Sequence, residues 1–230
     1  MNINIYEMIP GAREARGLTV VIDVFRAFSL ECWLFDAGVK EIYPVGDLSE
    51  AFRMKEEHPD WLLFGERGGA KVDGCDFGNS PSSVEGADLA GRTVIHTSGA
   101  GTQGIANAVH ADEIITGSLV NAKAVARYIK SRNPDTVSFA AMGKAGIASA
   151  REDVICAEYI RSLLTGEDYD IDEKIKSLRH DGGEHFFDPD RQSVFPSADF
   201  YMCIKRDFFP FVISSHKLGG VVVNRRYDFS

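Results

Sequence analysis

Leu18-Thr19-Val20-Val21-Ile22-Asp23 decides the fold. The run is short, β-branched and free of polar alternation, the pattern of a strand covered on both faces. Downstream, Arg26 to Ala37 sets Phe28, Trp33, Leu34 and Ala37 at helical spacing and stops at Gly38, a C′ glycine. Glu41 to Val45 reads as the next strand. Asp47, with Glu50 three residues on, opens a capping box for a helix through Glu57. Trp61 to Phe64, Arg92 to His96, Glu113 to Thr116 and Thr136 to Ala140 read as further strands. Helical patterns over Thr102 to His110, Val120 to Arg132 and Glu152 to Leu164 are interspersed with them.

Strands and helices in this order make βαβ units. The expected class is α/β, a largely parallel sheet with helices on both faces and a mixed C-terminal region. Residues 1–165 form the expected core, and residues 166–230 an extension packed on it, with a hairpin around Gly219-Gly220. Two roles are open for the residues after Thr165: covering the active site, or a contact between two copies in a homodimer.

Composition narrows the function. Across 230 residues, 25 Lys and Arg face 34 Asp and Glu, a formal charge of −9. Such a chain has no general attraction to nucleic acid or to an anionic membrane. No apolar run has the length to cross a bilayer, and Met1 to Pro10 lacks the pattern of a secretory signal. Cys32, Cys75, Cys156 and Cys203 are scattered without the spacing of a zinc or redox motif. Reduced thiols and a cytoplasmic location are expected.

In parallel α/β sheets, ligands bind beyond the carboxyl ends of the strands. Asp23 ends the first strand; Glu66 and Arg67 follow Phe64; His96, Thr97 and Ser98 follow Ile95; Met142 to Glu152 follows the strand ending near Ala140. Four polar clusters should therefore share one edge. Asp23 is a magnesium ligand, a nucleophile, or a cap on the next helix. Phosphoryl chemistry needs metal and guanidinium together to offset charge on the phosphoryl oxygens, and Asp23 with Arg26, and Glu66 with Arg67, supply that pairing twice.

The glycine-rich stretch from Gly65 to Ser83 reads either as a connector or as a loop that approaches an anion closely, with Asn79 and Ser80 as donors. Thr97-Ser98-Gly99-Ala100-Gly101-Thr102 lies between strand and helix, where backbone N–H groups can grip an anion. It matches neither the Walker A nor the GxGxxG spacing. Glu152-Asp153 opens a helix, where acidic residues are favoured for dipole reasons alone. His96 is a general acid or a satisfied strand-end histidine. Cys75 has no adjacent base, so a thiol nucleophile is not expected. His180, His185 and Asp188 fit no metal motif and read as surface residues.

Five segments carry a resemblance. They are Val21-Ile22-Asp23-Val24-Phe25-Arg26-Ala27, then Gly65-Glu66-Arg67-Gly68-Gly69 with Asp76-Phe77-Gly78-Asn79-Ser80-Pro81, then Ala100-Gly101-Thr102, Gly117 to Ala122, and Glu152 to Ala157. In that order they resemble the 2-phosphosulfolactate phosphatase family, magnesium-dependent enzymes first associated with coenzyme M biosynthesis. The resemblance implies hydrolysis of a phosphate ester on a small sulfonated or carboxylated acid, with Mg2+ as cofactor. It gathers Asp23, Arg26, Glu66, Arg67, Asp76, Asn79, Ser80, Glu152 and Asp153 around one cleft. Asp23, Glu66 and Asp76 are the implied metal ligands. Asp23, Arg26, Glu66, Arg67, Glu152 and Asp153 are the implied catalytic set. Asn79 and Ser80, with Thr97, Ser98, Gly101 and Thr102 of the anion loop, are the expected substrate contacts.

The chain departs from the family pattern at two places that bear on substrate. Gln103 stands where an arginine is usual, and Phe28 where a small hydroxyl residue is usual. These departures motivate an alternative, a phosphatase for another small phospho-acid. A non-catalytic anion-binding protein is the further alternative.

Overall fold

The computed structural model describes residues 1–229. Ten strands form one sheet: β1 (Asn2–Glu7), β2 (Gly17–Ile22), β3 (Glu41–Pro44), β4 (Leu62–Arg67), β5 (Ala70–Lys71), β6 (Thr93–Thr97), β7 (Ala111–Gly117), β8 (Thr136–Ala141), β9 (Val212–Leu218) and β10 (Val221–Tyr227). The helices are α1 (Met8–Glu14), α2 (Ala27–Asp36), α3 (Leu48–Glu57), α4 (Gly101–Asn107), α5 (Ala122–Arg132), α6 (Arg151–Thr165), α7 (Ile171–Ser177) and α8 (Ser197–Cys203). The α/β class and the largely parallel sheet are as the sequence implies.

Strand order is β1-β8-β2-β7-β9-β10-β3-β6-β4-β5. It contains two parallel blocks, β1-β8-β2-β7 and β3-β6-β4. The hairpin expected around Gly219-Gly220 is β9-β10, and it lies between the blocks. β9 pairs antiparallel to β7, β10 antiparallel to β9, and β10 antiparallel to β3 through the single pair Asn224↔Ile42. Three reversals make the two blocks run in opposite senses along the ladder. The polar clusters therefore do not share one edge of one parallel sheet. Residues at the carboxyl ends of strands from both blocks, Asp23 after β2 and Glu66 and Gly68 at the end of β4, nonetheless line a common cleft.

Side chains along β2 show why its run lacks alternation. Leu18, Val20 and Ile22 pack with α5 and α6 on one face, and Val21 packs with Ala12 of α1 and Ile105 of α4 on the other. Helix α4 follows β6 of one block yet lies on β2 of the other, which holds the blocks together.

The sequence pattern assigns no element to residues 2–14, where β1 and α1 form. β1 is a half-exposed edge strand, and α1 carries Pro10 and Gly11, poor helix formers. Gly65 to Ser83 is not a free connector. β4 continues through Glu66 and Arg67 because β5 folds back on it, pairing Glu66 with Lys71 and Arg67 with Ala70. Asp47 caps α3 as its capping box implies, accepting from the Glu50 N–H. No helix among the described residues is long and apolar enough to cross a membrane.

Candidate active site

A cleft of about 700 Å3 opens where the two blocks meet, and Asp23, Arg26, Glu66, Asn79, Glu152 and Asp153 line it. Four of these are carboxylates, brought from β2, β4 and the first turn of α6. Asp23 follows β2 directly and is 5% exposed. Its Oδ1 accepts the Ala27 N–H at 3.1 Å, so it does cap the entry to α2. Burial, then the neighbouring charges of Asp153 and Glu66, push its carboxyl up to about 8, against the pull of the Ala27 and Gly101 N–H groups. Gly101 is glycine for a steric reason: a Cβ there would come within 2.9 Å of Asp23 Oδ2 and 3.1 Å of Phe28.

Asp153 is a clamp. Its Oδ1 accepts from the Val24 N–H at 2.7 Å and its Oδ2 from the Gly143 N–H at 2.8 Å, tying the loop after β2 to the loop after β8. Burial and the adjacent Glu152 raise its carboxyl above the ordinary range. Glu66 clamps likewise, accepting the Gly99 N–H at 2.6 Å and the Gly69 N–H at 2.7 Å. Glu152 differs. Its buried Oε2 has no hydrogen-bond partner. Burial and then Asp23 raise this carboxyl to about 7, opposed by its own N–H and by Lys144. The floor of the cleft thus holds Asp23 and Glu152 with their carboxyls raised towards neutrality, beside Asp153 and Glu66, each fixed by two backbone donors.

The guanidinium groups are spent elsewhere. Arg26 is buried and donates from Nη1 to Asp199 at 2.7 Å and to the Val194 carbonyl at 2.9 Å, and from Nη2 to the Gly69 carbonyl at 2.6 Å. Its peptide bond to Phe25 is cis. Arg67 donates to the carbonyls of Glu66 and Gly46 and to the Thr97 hydroxyl, and it faces a second hollow beside Asp47 and Gln103.

Of the other expected residues, only Asn79 lines the cleft. Asp76 lies outside it, bonded to the Leu63 N–H at 2.7 Å and paired with Lys55 at 3.1 Å. Ser80 donates to Asp199 at 2.9 Å. Ser98 and Thr102 are fully buried and satisfy each other, the Ser98 N–H bonding Thr102 Oγ1 at 2.9 Å and the Thr102 N–H bonding Ser98 Oγ at 3.1 Å. In this loop Gly99 meets Glu66 and Gly101 faces Asp23, so its donors are turned to the protein's own carboxylates. His96 is also buried, its ring nitrogens 2.8 Å from Glu31 Oε1 and 3.1 Å from Asn79 Oδ1, while Asn224 of β10 donates to the other oxygen of Glu31. Gln103 donates to the Gly46 carbonyl and Phe28 sits in the core, so neither departure from the family pattern touches the cleft.

The structure corrects the reading of the polar stretch from Asp181 to Pro196. Its turns place His185, Asp188, Arg191 and Phe195 on the cleft wall, rather than leaving His185 and Asp188 as surface residues. Phe195 anchors this wall: the Arg26 guanidinium lies 4.9 Å from its ring centroid, and Gly69 packs so closely that a Cβ would come within 2.1 Å of Phe195 Cζ. The signal in the sequence is the mixture Glu184-His185-Phe186-Phe187-Asp188, whose aromatic residues need a core that a free loop does not offer.

The family model described as 2-phosphosulpholactate phosphatase matches residues 3–184. A Bacillus subtilis protein named probable 2-phosphosulfolactate phosphatase is 31% identical over 225 residues, 96% of each chain. Proteins of the same name from Carboxydothermus hydrogenoformans and Caldicellulosiruptor saccharolyticus are 45% and 40% identical, each over 63% of this chain. The matched regions span 59% and 61% of those two relatives' own lengths. On a match running from residue 3 to residue 184, the chain belongs to the 2-phosphosulpholactate phosphatase family.

Proposed function

We propose that the protein is a cytoplasmic, Mg2+-dependent phosphatase that hydrolyses 2-phospho-3-sulfolactate to 3-sulfolactate and phosphate. The observation that carries the reading is the unpartnered, buried Oε2 of Glu152 in a cleft floored by Asp23, Glu66 and Asp153. The names of the relatives supply the substrate class. Four free, buried cysteines suit a reducing compartment.

The carboxylates suit a hard cation in chemistry. Asp23 and Glu66 face each other's charge, and neither is paired with a basic side chain among the described residues. No group of three His, Cys, Asp or Glu side chains among the described residues is placed to hold a metal ion by itself. Mg2+ is commonly held by one or two carboxylates with water and substrate phosphate completing its shell, so Asp23 and Glu66 are the residues that would hold it. When bound it would neutralise charge on the phosphoryl oxygens.

The remaining work falls to the chain. Glu152 Oε2, free of hydrogen bonds and with its carboxyl near 7, takes a proton from the attacking water and can return it to the leaving alkoxide. Asp153 holds the loops after β2 and β8 in register around it, and Asn79 offers a polar contact held in place by His96.

Phosphate release from 2-phospho-3-sulfolactate with Mg2+, and with excess EDTA, tests the reading. Metal-dependent release is expected. Release that EDTA leaves untouched removes the metal, and absence of release in both conditions removes the substrate.

A further inference from the structure

Two cations reach the cleft with no carboxylate partner. Lys144, on the loop after β8, and Arg191, on the wall formed by the Asp181 to Pro196 stretch, both line it. Neither takes part in an ion pair among the described residues, and both are solvent-exposed. They flank His185, since the charges of Arg191, Arg26 and Lys144 all bear on that ring. Arg191 is braced, its guanidinium 4.6 Å from the Phe195 ring centroid. Arg26 is the third cation of the cleft, but its donors are engaged by Asp199, Val194 and Gly69.

We infer that Lys144 and Arg191 form the subsite that receives the acid groups carried by the substrate beside its phosphate ester, and so set its specificity. This rests on the phosphatase reading above. A 2-phospho-3-sulfolactate molecule enters a cleft already lined by six carboxyl groups, Asp23, Glu66, Glu152, Asp153, Glu184 and Asp188, and it carries a carboxylate and a sulfonate, both ionised at neutral pH. Each of those acids needs a cation that is not already neutralised, and Lys144 and Arg191 are the two such cations lining the cleft. A planar guanidinium can grip an oxyanion with two parallel N–H groups, and an ammonium acts as a point charge. Gln103, which replaces the arginine usual in the family, is outside the cleft, so its neutrality leaves this subsite intact. Arg191 lies beyond the residues matched by the family model, which end at Glu184.

Titration calorimetry with 3-sulfolactate in EDTA tests the subsite without metal or turnover. Wild type binds it, Arg191→Gln and Lys144→Gln each weaken binding roughly tenfold or more, as expected for hydrogen bonds to charged groups, and Arg191→Lys recovers part of the loss. In parallel, Arg191→Gln raises KM for 2-phospho-3-sulfolactate about tenfold more than KM for 2-hydroxyethyl phosphate, which has no second acid. A defect in general architecture would lower kcat for both esters alike. No binding by wild type, or equal binding by wild type and both Gln variants, overturns the subsite. Sulfolactate binding that Arg191→Gln abolishes, in a wild type that releases no phosphate, leaves the subsite standing and overturns the phosphatase reading.

Discussion

Arg26 Nη1 stands 2.7 Å from Asp199 Oδ2, with both side chains almost wholly out of solvent. The pair joins the turn after β2 to α8, and Asp199 Oδ1 also accepts from Ser80 Oγ, the Ser82 N–H and Ser82 Oγ. One carboxylate thus pins the loop after β5, the α2 entry and the wall carrying Phe195. Asp199→Ala would strand a buried guanidinium and three donors from Ser80 and Ser82. It should cost about 3–5 kcal/mol, the range for removing one partner of a buried ion pair. A fall in the urea midpoint with an unchanged m-value is the expected outcome, and unfolding within about 1 kcal/mol of wild type would show the pair to be energetically idle.

Asp23 should trade stability for function. Its folded carboxyl is raised to about 8 from an ordinary 3.8, so the folded state binds the extra proton between those values. Its contribution is therefore full below about pH 4 and is lost as pH rises through about 8. In EDTA, Asp23→Asn should melt higher than wild type at pH 8 and show a flatter decline from pH 5 to pH 8, while turnover falls by orders of magnitude. Parallel pH profiles for the two proteins would contradict the burial argument.

Mg2+ should reverse that decline. A cation held by Asp23 and Glu66 stabilises the ionised forms, so the rise in Tm on adding Mg2+ should be larger at pH 8 than at pH 5, and largely absent in Asp23→Asn. Differential scanning fluorimetry at both pH values measures it. An equal shift in the Asp23→Asn variant would place the cation elsewhere.

Gly101→Ala should damage the site from the core side. Its added methyl would meet Asp23 Oδ2, the Ala27 Cβ and the buried Phe28 ring at 2.9–3.1 Å. Overpacking of this kind costs about 1–3 kcal/mol, and displacement of Asp23 should lower kcat further than stability alone explains. Activity and Tm both at wild-type levels would mean that α4 shifts freely.

The sequence declares the strands that are buried on both faces. β2 is legible because four β-branched residues in a row have no other good use, and Asp23 is legible because it interrupts them. β1 and α1 are silent, since an edge strand of mixed polarity and a helix containing Pro10 and Gly11 break the local rules while tertiary packing holds them. Asp23, Glu66, Glu152 and Asp153 can be picked out as carboxylates near strand ends. That Arg26 and Arg67 are consumed by internal bonds cannot, because their partners lie up to 173 residues away. The opposite sense of the two parallel blocks is equally hidden, being a property of β9 and β10 that no local pattern records. The wall from Asp181 to Pro196 is missed for a related reason: its polarity looks like a loop, and only Phe186 and Phe195, buried against Arg26, show that it is built in.

The place of β9-β10 constrains how the molecule is made. A ribosome delivers eight strands before residues 212–227 emerge, and until then the two parallel blocks have no ladder between them. Each exposes an unpaired edge, β7 on one and β3 on the other, of the kind that recruits a stray strand. The nascent chain therefore reaches its catalytic arrangement only once residues 212–227 have been made, when a single hairpin closes both vacancies at once.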